Sequence, residues 1–198
     1  MTLTVVAILT TASPPLRQLF IDRAGSVVDG QWWRLLTGHL AHGGDHHLLL
    51  NLILFIPLGA LRERDAGTRR FLCELTFLAL TVAVGIRLFH PDWTTYQGLS
   101  GIVYGLLAVA LLAGNTEPTS SQWLLVIFLV VKSGLELLCG CWLLAGDSLC
   151  RSLEVTYLPG SHCAGLFGAF FILLPTQREP DDGIATTGCP SGWGKISS

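Results

Sequence analysis

Ser100 stands between glycines in the run Gly98-Leu99-Ser100-Gly101, and Tyr104 follows it by four positions. A hydroxyl with glycine on both sides can be approached closely by backbone or substrate. On a helix, Ser100 and Tyr104 would share one face. His162 comes two residues after Gly160, with Gly165 about one turn further on. A serine becomes a competent nucleophile when an imidazole within hydrogen-bond reach takes its proton. A third group is His42, His47 and Asn51, of which the last two are four apart. Acyl transfer builds negative charge on a carbonyl oxygen, and fixed N–H donors aimed at it stabilise the transition state. An Asn amide, a His ring and the backbone N–H of Ser100 would serve. The chemistry these residues could do is therefore hydrolysis by a Ser–His dyad; no acidic third member is evident. Taken singly, each has a plainer use: a glycine-flanked serine packs helices, and a histidine at a helix end caps it. Their joint occurrence carries the functional reading.

Such residues act only if something holds them together. Of the 198 residues, 51% are hydrophobic and 13% charged, with 12 Lys+Arg against 14 Asp+Glu. So few charges cannot clothe a water-soluble surface, and a near-neutral chain is no electrostatic nucleic-acid binder. Charges at mid-bilayer cost several kcal/mol, so the gaps between them draw a topology. Those gaps predict an all-α, polytopic bundle of six helices over about 1–20, 46–62, 71–89, 98–114, 121–144 and 159–176. The first is short for a span and carries Pro14 and Pro15; no basic region precedes it, as one would a cleaved signal peptide. A long segment, about 21–45, would form a membrane-associated loop between the first two helices. The domain is expected to cover 1–176, and the polar Gly/Pro/Ser/Thr-rich stretch 177–198 to be a flexible tail.

Arg62, Arg64, Arg69 and Arg70 form the densest basic cluster and place the turn after the second helix in the cytoplasm. The fourth and sixth helices then both run inward, which puts Ser100 and His162 at matching depth near the outer face. Arg17, Arg23, Arg34, Arg87 and Arg151 run against this bias. Trp32, Trp33, Trp93 and Trp142 fall near outer boundaries, as an aromatic belt would, and Trp123 near the inner one.

The linked motifs resemble the rhomboid family of intramembrane serine proteases. Trp33-Arg34, the spacing of His42, His47 and Asn51, Gly98-x-Ser100-Gly101 with Tyr104, His162-x-x-Gly165 and Gly59-x-x-x-Glu63 occur in the family's order. The resemblance implies a six-helix core with a cavity open to the outer side, Ser100 as nucleophile and His162 as base. It implies that Tyr104 packs on His162, that His47, Asn51 and the Ser100 amide form the oxyanion hole, and that no metal or cofactor is used. The substrate would be a transmembrane or C-terminally anchored protein, and the setting lipid, at the cell inner membrane of a bacterium. The phrase Gly30-Gln-Trp-Trp-Arg-Leu-Leu-Thr-Gly-His39 and the compact length are similar to the rhombosortase branch. That branch is associated with secreted proteins ending in a Gly-Gly motif, a hydrophobic helix and a basic end. Ala169, with Gly168 beside it, stands where the family usually has a second small residue on the last helix.

Several residues fall outside that pattern. His39, His42, His46 and His47 lie within nine positions, and His42 and His46 have the i, i+4 spacing of a helical metal site. The rival reading is thus a non-proteolytic metal-binding membrane protein built on His39–His47. Lys132 and Glu136, four apart in the fifth helix, are expected to pair; contact of Glu136 with a basic substrate end is the alternative. Cys150 could bridge to Cys139 or Cys141 in an oxidising compartment. Cys163 is read as packing.

Overall fold

The computed structural model describes residues 2–113, 117–139 and 158–174. Among them the chain is all-α except for one two-residue bridge. The first expected helix is two: α1 (Thr2–Ala12) and α2 (Pro14–Phe20), parted at Ser13. Proline fits the first turn of a helix but has no N–H to continue one, so Pro14 and Pro15 restart the chain. A loop follows, carrying α3 (Arg34–Thr37) and a 3₁₀ turn (Gly38–Leu40). Then come α4 (Asp45–Ala66), α5 (Thr68–Phe89), α6 (Ser100–Leu112), α7 (Ser120–Cys139) and α8 (Gly160–Leu173). The expected tail, Trp142, Arg151, Cys141 and Cys150 lie outside the described residues.

Two helix ends differ from expectation for physical reasons. α4 runs on to Ala66 and ends at Gly67, whose φ of +80° breaks the helix, and its Arg62 folds back onto α5. Its Nε and Nη2 donate to Glu74 at 2.7 and 2.5 Å, and Arg70 adds a bond at 3.0 Å. Glu74 would be costly alone in an apolar helix. Two of the four arginines of this turn are therefore bonded to Glu74, and Arg64 bonds Asp65. α6 starts at Ser100, not 98, because Gly98 has φ +124°, outside the helical region.

The outward faces identify the solvent. α4 exposes Leu49, Leu50, Ile53, Leu54 and Ile56; α7 exposes Leu124, Ile127, Phe128, Val130, Val131 and Leu138. Continuous apolar faces of this size are untenable in water and ordinary in lipid. α5 and α7 are each long and apolar enough to cross a membrane, and α4 qualifies jointly with Arg34–Leu40, at 97° to it. α6, 13 residues long and without a charge, is packed round by α4, α5, α7 and α8 and is the axis of the bundle.

The α6–α8 contact is backbone on backbone. A Cβ at Gly165 would lie 1.9 Å from the Gly101 carbonyl oxygen, and one at Gly105 would lie 2.6 Å from the Gly165 carbonyl oxygen. Without a hydrophobic drive between helices in lipid, such small-residue contacts supply the packing energy. Gly168 and the buried Ala169 continue the seam, Gly168 against Leu78 and Thr81 of α5.

Candidate active site

The head of α6 is fixed by the loops around it. β1 (Asp22–Arg23) pairs antiparallel with β2 (Thr95–Tyr96), joining the long loop to the segment that leads into Ser100. The Tyr96 hydroxyl donates to the Gly98 carbonyl at 2.7 Å, and the Gly98 N–H donates to Gly38 at 3.2 Å. Buried His39 spans from the Tyr96 hydroxyl, 3.2 Å from Nδ1, to the Ala79 carbonyl of α5, 2.9 Å from Nε2. Buried Arg34 gathers the loop. It donates to Gln31, to the Gln18 carbonyl and to the Ile21 carbonyl, closing the C-terminus of α2. Asp22 accepts from Ser26 and pairs with Arg87 at 3.0 Å.

Against this fixed segment the structure sets His47. A Cβ on Gly98 would lie 2.7 Å from His47 Cε1, so the histidine fills the space of the missing side chain. His42 meets His47 edge-on, with ring centroids 5.0 Å apart. Neither His42 nitrogen has a hydrogen-bond partner among the described residues. Burial, with His47 beside it, pushes the His42 pKa down to about 3, so its ring is neutral at pH 7. Asn51, also buried, spends one amide proton on the His47 carbonyl at 3.0 Å.

On the other side stands α8. Tyr104 stacks on His162 with centroids 4.0 Å apart and planes within 3°. The Ser161 carbonyl would be 2.7 Å from a Cβ on Gly101, so residues 100 and 162 both adjoin the point where α6 and α8 touch. Of the sequence candidates, His47 thus lies against Gly98 at the head of α6, His42 and Asn51 each contact His47, and His162 stacks on Tyr104 of α6.

Other expectations change. His42 precedes α4, so His42 and His46 share no helical face, and His46 is exposed where His42 is wholly buried. His39 has both ring nitrogens engaged. Among the described residues no three His, Cys, Asp or Glu side chains converge as a metal site requires. Glu136 is wholly buried and bonded by Lys132 at 2.7 Å, so it presents no carboxylate to a substrate's basic end. The Cys163 thiol donates to the Ser133 carbonyl at 3.2 Å, which is packing. Sequence reasoning missed the His39–Tyr96–Gly98 brace, for which the spacing gives no sign. It also missed that Glu136 reaches His162. Two charges in an otherwise apolar helix signalled that pair, but not which way the helix faces.

A helical bundle with continuous apolar outer faces defines an integral membrane protein. Residues 29–178 match the Rhomboid domain, and the chain belongs to the rhomboid family. Rhomboid-domain proteins are in general intramembrane serine proteases acting on transmembrane substrates.

Proposed function

We propose that the chain is an intramembrane endopeptidase in which Ser100 is the nucleophile and His162 the base. The Ser100 Oγ attacks the scissile carbonyl carbon while its proton passes to His162. The resulting imidazolium gives that proton to the leaving amine as the C–N bond breaks, and water then hydrolyses the acyl-enzyme by the same route. The Ser100 N–H belongs to a helix first turn, where amides have no acceptor within the helix. With the His47 ring and the second N–H of Asn51 it would receive the oxyanion, with a typical cost of about 2.7–4 kcal/mol for losing one donor. Gly98 gives the His47 ring its place, and His42 backs His47.

The observation that carries this reading is the α6–α8 crossing. It brings Gly101 against Gly165 and stacks Tyr104 on His162, at the turn that holds Ser100. Depth supports it as well. α6 is 13 residues long, about 20 Å at 1.5 Å per residue, against a hydrocarbon core of about 30 Å. Ser100 then lies beneath the bilayer surface if the far end of α6 reaches the opposite face.

The topology we favour has six spans, with α1–α2 and α8 as the outermost in sequence, in the cell inner membrane. The α4–α5 turn lies inside and the site opens to the outer, periplasmic side. The substrate is a protein anchored by a transmembrane or C-terminal apolar segment. The Gly30–His39 phrase favours the rhombosortase branch and hence a Gly-Gly, apolar, basic sorting tail. The test uses a fusion protein ending in such a tail, incubated with wild type, Ser100→Ala and His162→Ala chains in proteoliposomes. Both variants should lose cleavage by at least about 10³-fold. Cleavage by Ser100→Ala at the wild-type rate would end the protease reading. Cleavage of an unrelated transmembrane segment, with the sorting tail left intact, would end the branch assignment alone.

A further inference from the structure

α7 carries two charges, Lys132 and Glu136, and both face inward, 6% and 0% exposed. Lys132 Nζ donates to Glu136 Oε2 at 2.7 Å and to the Tyr104 hydroxyl at 2.8 Å. The same Glu136 oxygen lies 3.8 Å from His162 Nδ1. Tyr104, stacked on the His162 ring, closes a circuit of four side chains drawn from α6, α7 and α8. Lys132 and Glu136 belong to one helix, so their pair alone would only offset two charges within α7. The contacts that leave the helix go to Tyr104 and His162.

We propose that Glu136 is a positioning residue that acts through His162, and that Lys132 holds Glu136 and Tyr104 in register. The assignment rests on Ser100 and His162 being the dyad. With Nδ1 toward the carboxylate, Nε2 is the nitrogen that would take the Ser100 proton, and the stacked tyrosine limits rotation of the ring. When the Ser100 proton moves to Nε2, positive charge appears on the imidazole beside the Glu136 carboxylate. Glu136 takes no proton; the proton on Nε2 goes on to the leaving amine. At 3.8 Å the carboxylate is beyond hydrogen-bond length, so its influence is charge and orientation, weaker than a bonded acid would exert. Among the described residues, Cys163, whose thiol is bonded to Ser133, is a further titratable side chain on this flank of α8.

The experiment uses the full chain in detergent micelles and a fluorophosphonate probe, separating the maximal labelling rate from the probe's half-saturation concentration. Glu136→Gln should lower the maximal rate about ten- to a hundredfold, short of the about 10⁴-fold lost when an acid bonded directly to the base is neutralised. Half-saturation should stay within about twofold, since the acid touches no probe atom. Glu136→Asp, which keeps the charge, should recover part of that rate, and equal rates for the Asp and Gln variants would overturn the proposal. The pair variant Lys132→Met with Glu136→Leu leaves no lone buried charge. It should melt at or above the wild-type temperature and still label slowly. Wild-type labelling by that pair variant would show a structural pair only and sink the proposal. Ser100→Ala separates the two readings. Labelling that survives it removes the dyad itself, whereas labelling lost there but unchanged in the pair variant removes Glu136 alone.

Discussion

Gly165→Ala is the sharpest perturbation this fold offers. The added Cβ would sit 1.9 Å from the Gly101 carbonyl oxygen, 2.8 Å from the Gly101 carbonyl carbon and 3.3 Å from the Gly105 nitrogen. All three are backbone atoms of α6, so no rotamer change relieves the clash. Ordinary contact begins at 3.4 Å, so α8 must retreat by about 1.5 Å. Overpacking a close-packed interior costs about 1–3 kcal/mol, and a rigid partner puts this case at the upper end. The chemical cost is larger, since a displacement of about 1 Å at a reacting group can cost about 10²-fold in rate. The fluorophosphonate labelling rate, corrected for the folded fraction from a melting curve, should fall by at least about 10²-fold. Two other glycines grade the effect. At Gly168 the new atom meets the Leu78 Cδ2 end at 3.0 Å, which can swing away, so a several-fold loss is expected. At Gly134, in α7, nothing among the described residues lies within 4 Å, and alanine should leave labelling intact while stabilising the helix by up to about 1 kcal/mol. Wild-type labelling by a folded Gly165→Ala chain would refute the claim that this crossing sets the spacing of the proposed Ser100–His162 dyad.

Two further outcomes follow from buried charge. Arg62→Ala removes two bonds to Glu74 and leaves it, among the described residues, with the exposed Arg70, so stability should fall by about 1.5–3 kcal/mol; denaturant titration reads it, and a loss below about 0.5 kcal/mol would contradict the pairing. His42 binds its proton near 6.5 when unfolded and only near 3 when folded, so the unfolded state gains protons first as pH falls. Its contribution is complete above pH 6.5 and declines toward pH 3 by about 1.4 kcal/mol per unit. Melting temperatures from pH 7.5 to 4.5 should therefore fall less steeply for His42→Leu than for wild type, and parallel slopes would refute it.

The all-α membrane class was legible because lipid enforces a simple rule: charges leave the helices unless they are paired. The uncharged stretches 48–61 and 98–116 mark α4 and α6 for that reason, and glycines at 98, 101 and 165 announce close approach. The rule also shows where legibility stops. Arg62, Glu74, Lys132 and Glu136 break it, and each resolves through a partner on the same or a neighbouring helix. Sequence spacing supplies i, i+4 pairs such as Lys132–Glu136, but not the rotation that turns them toward His162. Counting arginines for orientation suffers likewise, because Arg62 and Arg70 are bonded to Glu74 and contribute less free charge than their number suggests. The histidine cluster is the opposite case. Four residues close in sequence separate in space, since a 3₁₀ turn, an extended link and a helix start fall between Gly38 and His47. His39 becomes a brace for Gly98, His46 faces outward, and only His42 and His47 stay together. Spacing predicts placement where one helix carries a motif, as α6 carries Ser100 and Tyr104. Where the backbone changes direction inside it, burial and hydrogen-bond demand decide which residue does what.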